Sequence, residues 1–398
     1  MNVHQIKACI KTKDPYEIAK AMTLPPLPPQ YQRSSGKDRS YSERLTIEGV
    51  DWSPVLNAFL ETRDHAIAGD FITAYEAQSR YHSTLNHLLN SSPGNTLIPL
   101  VHVCCRSTHH LAAKADYAHA LETQRNDHAR LQSAVTLLQE SFSKTLNDRK
   151  ELIPNAPLSS EGSKKIGVLY IVNQLFAMYF RLNTLRLCKN LLRPVESRNL
   201  HKSGNKGDMV TYRYFVGRLN LFEDMYDLAE ENLSYALQHC HKNSVANKKR
   251  ILNYLIPVKL LRGRLPSVKL LEKYNLVEFI PFVMAIRRGD LRTFHQTLQE
   301  NQDEFIRKGT YLLLEKCKTV CHRNLFKRVH LITGLHQLPL LHVVKAIKWL
   351  GIDMDLDEVE CILANLIFRG AIKGYISHSK KILVLSKKDP FPKSAVVK

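Results

Sequence analysis

Eight cysteines and eighteen histidines carry most of the reactive chemistry in this 398-residue chain. Cys317 and Cys321 stand four apart in a helical pattern with His322 behind them, Cys104-Cys105 precede His109-His110, and His239-Cys240-His241 closes another helical stretch. A structural zinc site needs paired short spacings, such as two CxxC pairs, and none of these groups has them. Cys317, among Leu313, Leu314 and Val320, reads as a small core side chain. The histidines of 239–241 suit the negative end of a helix dipole. The phosphate loops GxxxxGK[ST] and GxGxxG are absent. A Cys–His nucleophile is assembled in space rather than in sequence, and no nucleophile context is recognisable. The expectation is a protein without catalytic residues, metal or cofactor.

Charge is the second source of chemistry. Lys and Arg number 57 against 37 Asp and Glu, a net +20, and the isoelectric point is near 9.6. Such a balance draws a protein to phosphate backbones or acidic partners. Two stretches concentrate it. From 242 to 273 nine basic residues face one acid, Glu272. Stacked like charges repel, so this ridge must be solvated or covered by something acidic; Lys248, Lys249, Arg250, Lys259, Arg262 and Arg264 are its candidate contacts for an acidic partner. From 305 to 398, 17 Lys and Arg face 7 Asp and Glu, a net +10. The candidate phosphate contacts there are Arg323, Lys327 and Arg328, then Lys345 and Lys348, then Lys373, and finally Lys380, Lys381, Lys387 and Lys388. Lys and Arg that neutralise phosphates release counterions and give affinity without sequence preference.

The elements that position these residues are helical. Residues 1–49 read as a poorly ordered N-terminal segment, with Pro25-Pro26-Leu27-Pro28-Pro29 as a spacer or an SH3-type ligand and a polar run over 31–42. Helical patterns over 50–89 and 96–146 form an N-terminal region, 50–150, and the Pro/Ser/Gly-rich 151–165 reads as a linker. Helix hairpins in series fill 166–304, over roughly 164–180, 182–193, 208–222, 225–241, 246–263, 266–274, 276–288 and 290–301. Gly217, Tyr226, Ala229, Leu233 and Ala236 show the small-and-aromatic spacing of tetratricopeptide-like pairs, without an exact repeat period. No uninterrupted apolar run reaches the 18 residues of a membrane span; the nearest, 166–180, is interrupted by Asn173 and Gln174.

The last module, 305–398, reads as three helices and a two-stranded hairpin. Asp355 and Glu358 form a capping-box start. Val359, Ile362, Leu363, Leu366 and Ile367 share one helical face, and Gly370 stands at the C′ position. Strands follow on either side of a four-residue connection, Ser377-His378-Ser379-Lys380. Helices followed by such a wing make a winged helix. In a DNA-reading winged helix the helix before the wing enters the major groove by its N-terminal part. Here that end carries Asp353, Asp355, Asp357, Glu358 and Glu360. Binding should therefore be backbone-directed and salt-sensitive rather than sequence-specific, which argues against a DNA-binding regulator.

A helical solenoid running into a winged helix is the layout of the PCI domain, found in the proteasome lid, the signalosome and a translation initiation factor. Particular motifs carry the resemblance further: Val172-Asn173-Gln174-Leu175-Phe176, Thr211-Tyr212-Arg213-Tyr214-Phe215-Val216-Gly217-Arg218 and Tyr254-Leu255-Ile256-Pro257-Val258-Lys259 in the solenoid. Towards the wing come Arg323-Asn324-Leu325-Phe326-Lys327, Glu360-Cys361-Ile362-Leu363-Ala364-Asn365-Leu366-Ile367, Lys373-Gly374-Tyr375-Ile376-Ser377-His378 and Asp389-Pro390-Phe391-Pro392. Over about 165–393 the chain resembles the PCI-domain subunits of the nuclear complex that couples transcription to mRNA export, with the PCI domain itself at about 208–390. The resemblance implies a non-catalytic scaffold in the nucleus, associated with the nuclear pore, with the cytoplasm as a second place. It implies two protein partners, a large scaffold subunit with its own winged helix and a small acidic disordered protein. The two winged helices would lie side by side as a platform for RNA or DNA. The alternative it leaves open is a signalosome-like or initiation-factor-like subunit whose basic wing faces acidic protein and binds no nucleic acid.

Overall fold

The structure, a computed structural model, describes residues 3–29, 41–47, 49–92, 94–125, 127–153, 157–202 and 204–392. The chain divides into two compact units, Met1–Phe215 and Val216–Lys398.

The first unit begins with α1 (Val3–Thr12) and α2 (Pro15–Ala21). These correct the expectation of a poorly ordered 1–49. Asp14 caps α2, accepting from the backbone of Tyr16 and Glu17, with Pro15 at the first helical position, while Ile6, Ile10 and Ile18 are buried. The Pro-rich run is held as well: Lys114 Nζ donates to the Pro28 carbonyl at 2.7 Å. Most of the polar run 31–42 lies outside the described residues. A two-residue ladder, β1 (Thr46–Ile47) and β2 (Val50–Asp51), leads into α3 (Ser53–Ala68), α4 (Phe71–Ser91), α5 (Ile98–Thr123) and α6 (Ala129–Leu146). Each of the two long helical patterns is thus a hairpin. The segment read as a linker is pinned where it is described: Ser159 and Asn95 bond each other, and Asp148 accepts from Ser163 and Lys164. Pro154 lies outside the described residues. After α7 (Val168–Arg181) and α8 (Arg186–Ser197) comes α9 (Lys206–Phe222), inside which the first unit ends. The unit boundary therefore differs from those expected at 165/166 and 304/305.

The second unit continues the helix pairs: α10 (Tyr226–His239), α11 (Val245–Leu261), α12 (Val268–Lys273), α13 (Phe279–Arg288), α14 (Leu291–Glu300), α15 (Gln302–Lys308) and α16 (Tyr311–Lys316). The small residues work as their spacing suggests. A Cβ on Gly217 would stand 2.7 Å from Leu233 Cγ, so only glycine lets α9 and α10 approach this closely. The winged helix follows: α17 (Lys318–Thr333), β3 (Gln337–Pro339), α18 (Leu340–Trp349), α19 (Leu356–Phe368), β4 (Gly374–Ser377) and β5 (Ile382–Leu385). α19 has the capping box, Asp355 with Glu358, and Gly370 takes a left-handed φ of +70° behind it. The sheet has three strands, not two, in the order β3-β5-β4, all antiparallel. Register sends Leu338, Leu383 and Leu385 inward, where they join Val343, Ile347, Val359, Leu363 and Leu366 in one core. The fold is a helical-repeat array ending in a winged helix.

Candidate nucleic-acid and partner interface

The winged helix presents lysines at three places. On α18, Val343 and Ile347 turn into the core, which leaves Lys345 and Lys348 exposed on the far side. Lys380 is exposed in the turn joining β4 to β5. Lys373, Lys387 and Lys388, also exposed, gather at the other end of the hairpin. Backbone bonds bring them there: Ser386 N donates to the Lys373 carbonyl and Lys373 N to that of Pro390. The Ser386 hydroxyl closes the turn with Lys388. A four-residue strand puts roughly 13 Å between the tip and this base. Among the described residues no carboxylate pairs with any of these six lysines.

Three sequence-predicted contacts are already engaged, and a fourth, Lys327, is half-buried. Arg323 is buried, 6% exposed, and its guanidinium donates to the carbonyls of Ala371 (3.4 Å), Phe391 (2.7 Å) and Pro392 (2.9 Å) and to Asn324 Oδ1. Burial holds its pKa below the usual arginine value. It latches the segment after β5 and is withdrawn as a phosphate contact. Lys381 Nζ lies 3.1 Å from both Asp357 Oδ1 and Glu360 Oε2, and His378 Nδ1 donates to Glu360 Oε1 at 2.7 Å. The bond to Glu360 raises the Lys381 pKa, and the bond from His378, with that from Lys381, lowers the Glu360 pKa. This clasp holds the wing against the acidic end of α19, so Lys381 is neutralised. Lys327 is half-buried on α17, and Arg328 is exposed, donating to the Arg288 carbonyl at 3.3 Å.

The ridge of 242–273 is not continuous. Every residue from Ile251 to Val258 of α11 is buried, so the helix is core and its cations sit at the two ends. Lys248, Lys249 and Arg250 lie on the N-terminal turns, where Lys249 donates to the Asn275 carbonyl. At the C-terminal end, Arg262 pairs with Asp227 and with Glu230, and Arg264 pairs with Glu230, each at 2.7 Å. Glu230 is 7% exposed; a buried carboxylate needs such partners. Arg262 and Arg264 therefore clamp α10 to the end of α11 and are withdrawn as free partner contacts, leaving Lys259, which is half-buried. In the same unit a groove of about 580 Å³ is lined by Phe222, Tyr226, Tyr254, Ile306, Tyr311 and Leu312, with Lys316, Asp224 and Tyr226 bonded to one another at its rim.

The buried cysteines behave as packing. Cys317 and Cys321 are buried, and burial pushes both thiols up, Cys321 to about 12. Sequence reasoning missed a buried polar network in the first unit. His82 bridges Thr108 and Ser141, with Cys105 Sγ 3.9 Å from its Nε2. Burial drives this pair the wrong way for a nucleophile, the thiol up to about 12 and the imidazole down to about 4. Among the described residues no group of three or more His, Cys, Asp or Glu could hold a metal ion, and no helix is long and apolar enough to cross a membrane.

Comparison with known proteins places this geometry. A PCI domain is matched over residues 298–387, the span from α14 to just past β5. PCI domain-containing protein 2 of Xenopus laevis is 38% identical over 330 residues, 82% of this chain and 81% of its own length. Enhanced ethylene response protein 5 of Arabidopsis thaliana is 37% identical, covering 91% and 85%. Protein CSN12 homolog of Mycosarcoma maydis is 32% identical, covering 95% and 82%. PCI-domain proteins are subunits of protein complexes. By its winged helix, its helical array and these relatives, the chain belongs to the PCI domain-containing protein 2 family.

Proposed function

We propose that this chain is a non-catalytic scaffold subunit of a nuclear, pore-associated complex that couples transcription to mRNA export. Its winged helix supplies one half of a backbone-directed platform for RNA or DNA, and a large subunit supplies the other half with its own winged helix. A small acidic disordered protein is held by the second unit, around Lys248, Lys249, Arg250 and Lys259. The observation that carries the reading is the set of six lysines, Lys345, Lys348, Lys373, Lys380, Lys387 and Lys388, all exposed and unpaired among the described residues on one small module. Such a surface neutralises phosphates without reading bases. The second reading is a signalosome-like or initiation-factor-like subunit without nucleic acid, and it is favoured by the outer face of α19, which carries no cation. Purification of the tagged chain from nuclear extract, with mass spectrometry of what accompanies it, separates the two. Recovery of a large export scaffold and a small acidic protein supports the first; recovery of signalosome or initiation-factor subunits in their place overturns it.

A further inference from the structure

α19 is the helix that a DNA-reading winged helix would lay in the major groove, and its outer face here has a different construction. Val359, Leu363 and Leu366 point into the core. Opposite them, Cys361, Ala364, Asn365 and Phe368 are exposed at spacings of three and four, so they share one stripe. Phe368 is 91% exposed, the most exposed large apolar side chain among the described residues. Between Leu356 and Phe368 there is no Lys or Arg. The wing cation that reaches this helix, Lys381, is held by Asp357 and Glu360. The start of α19 and the loop before it expose Asp353, Asp355, Asp357 and Glu358. In a chain of net charge +20 this is an acidic end on an otherwise basic module.

From this pattern we infer that the outer face of α19 docks an amphipathic helix of a partner protein. The partner's apolar stripe covers Cys361, Ala364 and Phe368, and its Lys or Arg side chains meet the acids at the start of α19. Charge complementarity selects this occupant: nucleic acid would be repelled by four exposed carboxylates, whereas a basic amphipathic helix gains from those acids at the start of α19 and from apolar cover at Phe368, with its cations away from Arg369. Ala364, at mid-stripe, lets two helix axes approach to the close end of the usual 8–10 Å. The stripe is about 10 Å long, too short to hold a free partner. It suits one already tethered elsewhere in the complex, where effective concentration supplies the rest. A second copy of this chain fits poorly, since two +20 surfaces repel. The inference reaches beyond the proposed function, because it requires only that the chain sits in a protein complex.

Cys361 is exposed, Cys9 is half-buried and the other cysteines are buried, so a benzophenone maleimide on a Cys9→Ser chain marks the face selectively. The labelled full-length chain, assembled in its cellular complex, is irradiated and the crosslinked segment sequenced. The expected result is a protein segment with apolar residues at helical spacing and Lys or Arg beside them. Its yield should fall at least tenfold in Phe368→Glu, with the melting temperature of the chain unchanged. Phe368→Ala, which adds no charge, should lower the yield in the same direction. Crosslinks to nucleic acid, crosslinks to a second copy of this chain, or a yield indifferent to both substitutions would each overturn the proposal.

Discussion

Within the second unit, the two basic stretches deploy their arginines and lysines differently. In the winged helix, Arg323 is spent on three backbone carbonyls and the six outlying lysines are left to solvent. At α11 the arginines after the helix, Arg262 and Arg264, are spent on Glu230, whereas Lys248, Lys249 and Lys259 are half-buried and Arg250 is exposed. The cause is the chemistry of the side chains: a planar guanidinium satisfies several acceptors at once, whereas an ammonium is a strongly hydrated point charge. The regions part in what remains. The winged helix keeps cations at the tip of its hairpin, at its base and on α18. The α11 region keeps only end clusters, because the helix between them is buried from Ile251 to Val258. The stretch from 242 to 273 is two separate footholds, and the wing is the surface proposed to face phosphates.

Substitutions should break this contrast cleanly, the largest effect first. Arg323→Met strands the carbonyls of Ala371, Phe391 and Pro392 and should cost about 3 kcal/mol of unfolding free energy, read as a lower denaturant midpoint. Removing charge at α10 should cost less: Glu230→Gln takes the carboxylate charge and one of the two acceptor oxygens from Arg262 and Arg264 and should lower stability by about 2 kcal/mol. It should also tighten the hold on an acidic peptide, since Arg264 loses its carboxylate and Arg262 keeps only Asp227; an unchanged peptide affinity would show that Arg264 was never masked. Charge reversal of the remaining cations should leave folding alone in both regions. Lys248→Glu, Lys249→Glu and Arg250→Glu together should release the acidic partner on co-purification with an unchanged melting temperature. Lys380→Glu, Lys387→Glu and Lys388→Glu together should weaken RNA binding roughly tenfold or more and spare protein assembly.

The smallest effect concerns the clasp of Lys381, His378 and Glu360. Because its partners hold the Glu360 carboxyl below its ordinary value, the clasp contributes above the carboxylate range and is lost as pH falls through it. Protection of the 378–381 amides, their exchange taken relative to the unstructured chain at the same pH, should therefore fall below about pH 4.5 and hold steady from pH 6 to 8. A wing that loosened towards higher pH would contradict the assignment.

Much of the winged helix was legible because its signals are local. The capping box of Asp355 and Glu358 and the glycine at 370 bracket α19 within fifteen residues, and the four-residue wing turn fell within one residue of its position. What escaped depends on distant partners. β3 is three residues ending in Pro339 and is a strand only because β5, more than forty residues later, pairs with it. Arg323 reads as surface charge until Ala371 and Phe391 close over it. The same holds for Arg262, whose partner lies in the preceding helix. α2 differs: Asp14 followed by Pro15 is a local helix start, and the expectation of disorder over 1–49 gives more weight to the run of prolines that follows.

The account stands on the exposed lysines of the wing meeting phosphates. Its most direct test is a salt titration of single-stranded RNA binding by the assembled complex, wild type against the Lys380, Lys387 and Lys388 charge-reversal variant. If each lysine neutralises a phosphate, the slope of log affinity against log salt should be shallower in the variant by roughly two units, at about 0.7 per contact. Equal slopes, with equal affinity, would contradict the claim and turn the basic wing towards protein.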